Sequence, residues 1–310
     1  MEQIIAAEGS LWYNDGMRQK GFFKMFAAAK AAPFVALVAC AAGGWACQRG
    51  GAARAAEVTA APSPAAEMIV AGLGGFRGIA AEVVWFRADR LQDEGRYAEL
   101  AQLAAWLTFL EPHTPEVWAY TAWNLAYNVS VAMSTPADRW RWVNAGVRLL
   151  LDDGLRLNPS DPELYKALSD MFRFKLGANI DDAAPYYRAR WKELVSAAQA
   201  SGDWSSVRLV PETMRAIDAE YGAQDWTHPY ASALYWAHLG LLCARTPDER
   251  ADLREAVYQT LMVEANADPR FAPRALAEMQ TALREDPHPQ LRELIRGFSA
   301  RHGLTAGTGD

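Results

Sequence analysis

From residue 71 onward, apolar residues recur at the three- and four-residue spacing of a helix face, and no run alternates apolar and polar positions between hairpin turns. That pattern predicts an all-α body. Four helix starts are written as a capping residue followed by proline, at Thr114-Pro115, Thr135-Pro136, Asp161-Pro162 and Thr246-Pro247. At such a start the cap oxygen accepts an otherwise orphaned backbone N–H, and proline gives up only a donor that has no helical partner. Two of the starts share a longer frame, Thr114-Pro-Glu-Val-Trp118 and Asp161-Pro-Glu-Leu-Tyr165, offset by 47 residues. A recurrence of this kind points to an internal repeat.

Gly95-Arg-Tyr97 is followed by an apolar helix ending Leu110-Glu-Pro112, and the next helix carries Trp118 in its first turns. This arrangement resembles the tetratricopeptide repeat (TPR), a helix–turn–helix unit of about 34 residues. On that frame one unit covers 81–114, with Gly95 at the inter-helix turn, Tyr97 packing over it and Pro112 closing the unit. A second unit opens at Pro115, with Trp118 as anchor and Ala122 at the small-residue position, and closes at Leu157-Asn158-Pro159. It is long, and its extra residues fall around Val129–Trp142. A third opens at Pro162 with Tyr165, Leu168 and Phe172 on its core stripe, and its second helix follows Asp181-Asp182. Leu100 and Arg87 stand where the family has a small Ala and a Leu, and the third unit lacks a closing Pro, so the frame is TPR-like rather than a regular array. The segment Gly72–Asp89 resembles an uncharacterised group of bacterial membrane-anchored TPR proteins, a likeness that implies an architecture and no activity.

The resemblance, which covers roughly residues 81–195, implies a TPR-like helix–turn–helix solenoid over 71–200; beyond it the residue pattern continues as irregular, degenerate helical repeats and a cap over 201–302, and a disordered tail is expected at 303–310. His228–Trp236 and Glu255–Ala265 read as one late pair, Pro273–Arg284 and Pro289–Arg301 as the last. It also implies a concave groove. Asp89, Gln92 and Asp93 of the first unit, Trp123 and Tyr127 of the second, and Lys166, Asp170, Arg173 and Phe174 of the third fall on groove-side positions. A mixed charged and aromatic groove suits a protein or peptide partner. The alternative is that Trp123 and Tyr127 pack on the inserted stretch or the C-terminal helices.

The N-terminal quarter has another character. After a polar and basic leader, 1–25, the segment 26–49 contains the apolar stretch Ala31–Cys47, preceded by Arg18, Lys20, Lys24 and Lys30. Basic, then apolar, then small residues is the layout of an export signal or a membrane anchor, and the basic side stays cytoplasmic. The expectation is a membrane-associated protein with its folded body extracytoplasmic, on the periplasmic side in a bacterium. Leu37-Val-Ala-Cys40 resembles a bacterial lipobox, which would make Cys40 a lipidation site; a retained single span is the other reading. A buried Ala-rich helix is a third, disfavoured by Gly43, Gly44, Gly50 and Gly51. Residues 50–70 are Ala, Pro, Ser and Gly with almost no large apolar side chains, as in a flexible tether.

Composition narrows the function. With 310 residues, 51% hydrophobic and 12 Trp, the chain has ample surface to bury, and intrinsic disorder of the body is excluded. Lys and Arg number 31 against 37 Asp and Glu, so a net charge of −6 argues against nucleic acid. Three cysteines make no disulfide framework. No GxSxG, HExxH, CxxC, Walker or dinucleotide fingerprint occurs, so no catalytic residue, cofactor or metal is expected. His238 and Cys243 sit about 140° apart on a helix, too far round for one metal. Asp152-Asp153 and Asp181-Asp182 read as helix-terminus residues, Asp181-Asp182 as an N-cap, rather than catalytic pairs. Arg139-Trp-Arg-Trp142 reads as a cation–π patch or as an amphipathic turn with Trp inside and Arg on a carboxylate. The expected function is a membrane-tethered scaffold or adaptor that binds a protein partner. Its rivals are a permanent structural subunit of a multi-subunit membrane complex and, third, an unrecognised hydrolase or lipid-handling protein.

Overall fold

The computed structural model describes residues 77–305, and every regular element among them is helical. The leader, the apolar segment with Cys40, the tether and the last five residues of the tail lie outside the described residues. The described chain falls into two compact units, one ending at Pro112 and one beginning at His113.

In the first unit, α1 (Arg77–Asp93) and α2 (Tyr97–Leu110) form a hairpin. Ala81, Ala88 and Leu91 of α1 and Leu100, Ala104 and Leu107 of α2 are buried at the spacing of one helix face. Gly95 turns the chain at φ +68°, and the Arg96 N–H reaches back to the Leu91 carbonyl at 2.9 Å. That six-to-one bond closes a Schellman turn, whose left-handed position favours glycine. Gly95 thus stands at the inter-helix turn the sequence assigned to it.

The second unit opens with α3 (Pro115–Trp123), which runs on through a π-helical stretch, Asn124–Val129, and a 3-10 turn, Ser130–Ala132. Next, α4 (Pro136–Arg148) runs on through a π stretch, Leu149–Gly154, and a last turn, Leu155–Leu157. A third helix, α5 (Pro162–Asp170), also ends in a π stretch, Met171–Gly177. The rest comprises α6 (Ala184–Ser201), α7 (Pro211–Tyr221), α8 (Pro229–Cys243), α9 (Pro247–Ala267), α10 (Ala272–Glu285) and α11 (Pro289–His302). The helices pack on neighbours both near and far in sequence: α4 on α3, α5 on α3, α8 on α7 and, across two intervening helices, on α5, α9 on α8 and α5, α10 on α9, and α11 on α10. Meanwhile α6 packs on α4 and on the π end of α5.

All four capping-residue–proline starts open helices. Thr135 accepts from the Asp138 N–H, Asp161 from the Glu163 N–H, and Thr246 forms a capping box with Glu249. Two further starts use histidine, since His228 and His288 accept the Tyr230 and Leu291 N–H groups through Nδ1. The extra residues around Val129–Trp142 are not an irregular excursion. They lengthen α3 to Ala132 and supply the first turns of α4, leaving a connection of only three residues. At the α3–α4 crossing, a Cβ on Gly146 would stand 2.6 Å from the Ala122 carbonyl oxygen, so the two backbones meet where both side chains are minimal.

Candidate functional site

The apolar stripe of α5 dictates where its one anomalous residue goes. Leu168 and Phe172 are fully buried, Tyr165 stacks on Trp236, and the next position of that stripe is Lys175. A lysine on a core stripe must bring a counter-charge or lose its proton. Lys175 lies in the π stretch, where each turn holds one residue more than an α turn and the helix changes face. Its stem is sealed in the core, and its ammonium lies over the rings of Tyr127, at 5.0 Å, and Tyr187, at 5.8 Å.

The counter-charge is Asp181, in the loop that leads into α6. Lys175 Nζ donates to Asp181 Oδ2 at 2.5 Å, and the Tyr187 hydroxyl donates to the same oxygen at 3.1 Å. The Ala183 N–H and Arg139 Nη1 donate to Oδ1, at 2.9 and 3.2 Å. Burial alone would raise the Asp181 carboxyl, but Lys175 and the Ala183 N–H outweigh it and hold it down at about 2. Burial also pulls Lys175 below the ordinary lysine range, with Asp181 opposing. For Tyr187, burial and then the Asp181 charge push the phenol up.

Arg139 connects this buried pair to the surface. Its Nε donates to the Met133 carbonyl at 2.9 Å, and Nη1 is shared between Asp181 and Asp182. Next to it, Trp140 is buried and lies 6.1 Å from the Tyr187 ring, which is the amphipathic arrangement of Trp inside and Arg on a carboxylate. Asp181 and Asp182 do not cap α6, whose N-cap position is Ala183; Asp181 lies in the preceding loop, and the fold returns it to a lysine six residues earlier. A half-open cleft of about 360 Å³ lies over the cluster. Its floor is Tyr127, Lys175 and Asp181, its charged rim Arg139 and Asp182, and its lips the exposed side chains of Val131 and Ile180.

A second charged cluster lies on the same helix. Asp170, buried, accepts from Lys166 Nζ at 2.6 Å and from Arg173 Nη2 at 2.8 Å. Arg173 Nη1 in turn donates to Gln259 Oε1 of α9 at 2.7 Å, and its guanidinium lies 4.3 Å from the centre of the Phe174 ring. Burial would raise Asp170, and the two cations overcome it and lower it. Tyr127 stands between the clusters: burial and then the Asp170 charge raise its hydroxyl, with Arg173 and Asp181 also within electrostatic reach. Its ring stacks on Trp123 at 5.8 Å.

Of the residues expected along a groove, Trp123, Tyr127, Lys166, Asp170, Arg173 and Phe174 all lie on α3 and α5 and their π ends. The charged three are engaged with one another, and Arg173 with α9, rather than turned to solvent. Asp89, Gln92 and Asp93 lie on α1 in the first unit. Sequence reasoning missed Lys175 and Ile180; the signal for Lys175 was a charge on the Tyr165–Leu168–Phe172 stripe. No known protein family, curated protein or solved structure matches this chain.

Proposed function

We propose that this chain is a membrane-tethered, extracytoplasmic scaffold or adaptor, whose TPR-like helical body binds a protein partner at the cleft beside Tyr127. The cleft carries the proposal: exposed Val131 and Ile180 flank a guanidinium and a rigid aromatic floor. Apolar lips around an anchored arginine are what a protein interface uses, and a floor fixed by buried ion pairs loses little entropy when a partner docks. The basic-then-apolar N-terminal segment and the Ala/Pro tether supply the membrane part of the reading.

Affinity capture from solubilised membranes tests it. The full chain should recover a stoichiometric partner, and Trp123→Ala with Tyr127→Ala should lose it while helicity is retained. If no partner is recovered, or recovery is indifferent to both substitutions, the reading fails.

A second reading, a permanent structural subunit of a larger membrane complex, draws on large exposed apolar side chains outside the cleft, Phe86 in the first unit and Val210 and Leu242 in the second. Such a subunit would co-purify at a fixed ratio and be unstable alone.

A further inference from the structure

We infer that the cleft receives the free C-terminal carboxylate of a partner polypeptide ending in an apolar residue, and that Asp182 occupies Arg139 until the partner arrives. The inference rests on the scaffold reading above and names what the scaffold would hold.

Arg139 is already aimed. Its Nε is fixed on the Met133 carbonyl and its Nη1 on two carboxylates, while Nη2 has no partner among the described residues. A planar guanidinium held this way loses little freedom on gripping a carboxylate, the group its fork fits best. The two carboxylates it now touches differ sharply. Asp181 is 5% exposed and takes four donors, so it is structural. Asp182 is 84% exposed, and Arg139 Nη1 is the cation beside it. With its carboxylate this open to water the pair contributes little, so exchanging Asp182 for another carboxylate costs little.

Arg139 and Lys175 face Asp181 and Asp182, two charges of each sign, so a ligand carboxylate must displace Asp182 from Arg139 towards water. The lips then choose the source of that carboxylate. Val131 and Ile180, 49% and 39% exposed, ask for an apolar side chain close to the acid. A C-terminal Leu, Val or Phe carries both on one Cα and fits a cleft of about 360 Å³, whereas an aspartate side chain brings the acid without the apolar group.

The test uses the full-length chain in detergent and three peptides: acetyl-Ala-Ala-Leu with a free carboxyl, the same peptide as its amide, and acetyl-Ala-Asp-Ala amide. Titrations followed by saturation-transfer NMR should show the free acid binding and each of the other two at least about tenfold weaker. Asp182→Asn, which removes the internal competitor, should tighten the free acid by about threefold or more. Arg139→Gln should abolish binding; if that variant fails to fold, the Asp182→Asn arm still decides. Equal binding of acid and amide, equal binding of the aspartate peptide, no binding at all, or weakening by Asp182→Asn each overturns the inference. Any of those results alongside a partner capture that depends on Trp123 and Tyr127 overturns the carboxylate pocket alone, whereas failure of the capture itself overturns the scaffold.

Discussion

Lys175 and Asp181 form an ion pair 2.5 Å long although their side chains are only 2% and 5% exposed. Two charges withdrawn from water this far depend on each other, because each alone would face the desolvation cost without its compensation. Removing the acid by Asp181→Ala should therefore destabilise the fold by about 3–5 kcal/mol. Lys175→Met should cost less, since Tyr187, Ala183 and Arg139 still donate to Asp181. The double variant should lose clearly less than the two single losses added together. Urea unfolding of the four proteins measures the coupling. The Asp181 carboxyl sits near 2 in the fold and near 3.8 unfolded, so its contribution is complete above about pH 4 and fades as pH falls towards 2.

Glu264 on α9 gives the opposite pH sign. Burial, and then the Asp225 charge, push its carboxyl up to about 8, and its Oε2 is buried without a hydrogen-bond partner. Because the folded value lies above the unfolded one, the native state holds the extra proton between about pH 4.5 and 8, and stability declines as pH rises through that window. Glu264→Gln removes the titration and keeps the shape. It should raise stability by about 1–3 kcal/mol at pH 8.5 and leave it nearly unchanged at pH 5, read as melting temperature at the two pH values.

His228 begins α8 by accepting the Tyr230 N–H at 3.2 Å through Nδ1. A protonated ring has no acceptor there, and burial, then Arg188, lowers its proton affinity. With the folded value below the unfolded one, the cap's contribution is whole above about pH 6.5 and is lost as pH drops below it. His228→Ala should cost about 1 kcal/mol at pH 7.5 and less at pH 5. His228→Asn, which keeps an acceptor at the cap, should flatten the pH dependence, as denaturation midpoints across pH 5–8 would show.

Gly146 sets two effects against each other. Alanine is the better helix former by about 1 kcal/mol, yet its Cβ would stand 2.6 Å from the Ala122 carbonyl oxygen, which is backbone and cannot swing away. Overpacking wins, and Gly146→Ala should destabilise by about 1–3 kcal/mol in thermal unfolding.

The legible part of the molecule was local. Helical spacing, four proline starts and the Gly95 turn were readable because each depends on a few neighbouring residues whose chemistry has one satisfactory solution. The late helices α8 to α11 fall where their apolar spacing and prolines put them. What escaped depends on register or on distance. A π stretch adds a residue per turn without any composition of its own, so nothing in the spacing marked the ends of α3, α4 and α5. The helix α7 went unassigned although Val210-Pro211 opens it, because valine has no capping side chain. The Asp181-Asp182 pair reads as a helix start in sequence, and only the fold shows that Asp181 meets Lys175 and Arg139. Of the cleft, Tyr127 and the Arg139 patch stood out beforehand, whereas Lys175 looked like one more charge until its stripe proved to be core.

Native mass spectrometry of the full chain released from membranes tests the central claim most directly. The expected result is a complex of this chain with a polypeptide partner, which the Trp123→Ala and Tyr127→Ala variant loses while the chain alone stays folded with its helicity unchanged. A chain that flies alone under the same gentle release, or a complex that survives both substitutions undiminished, would contradict it.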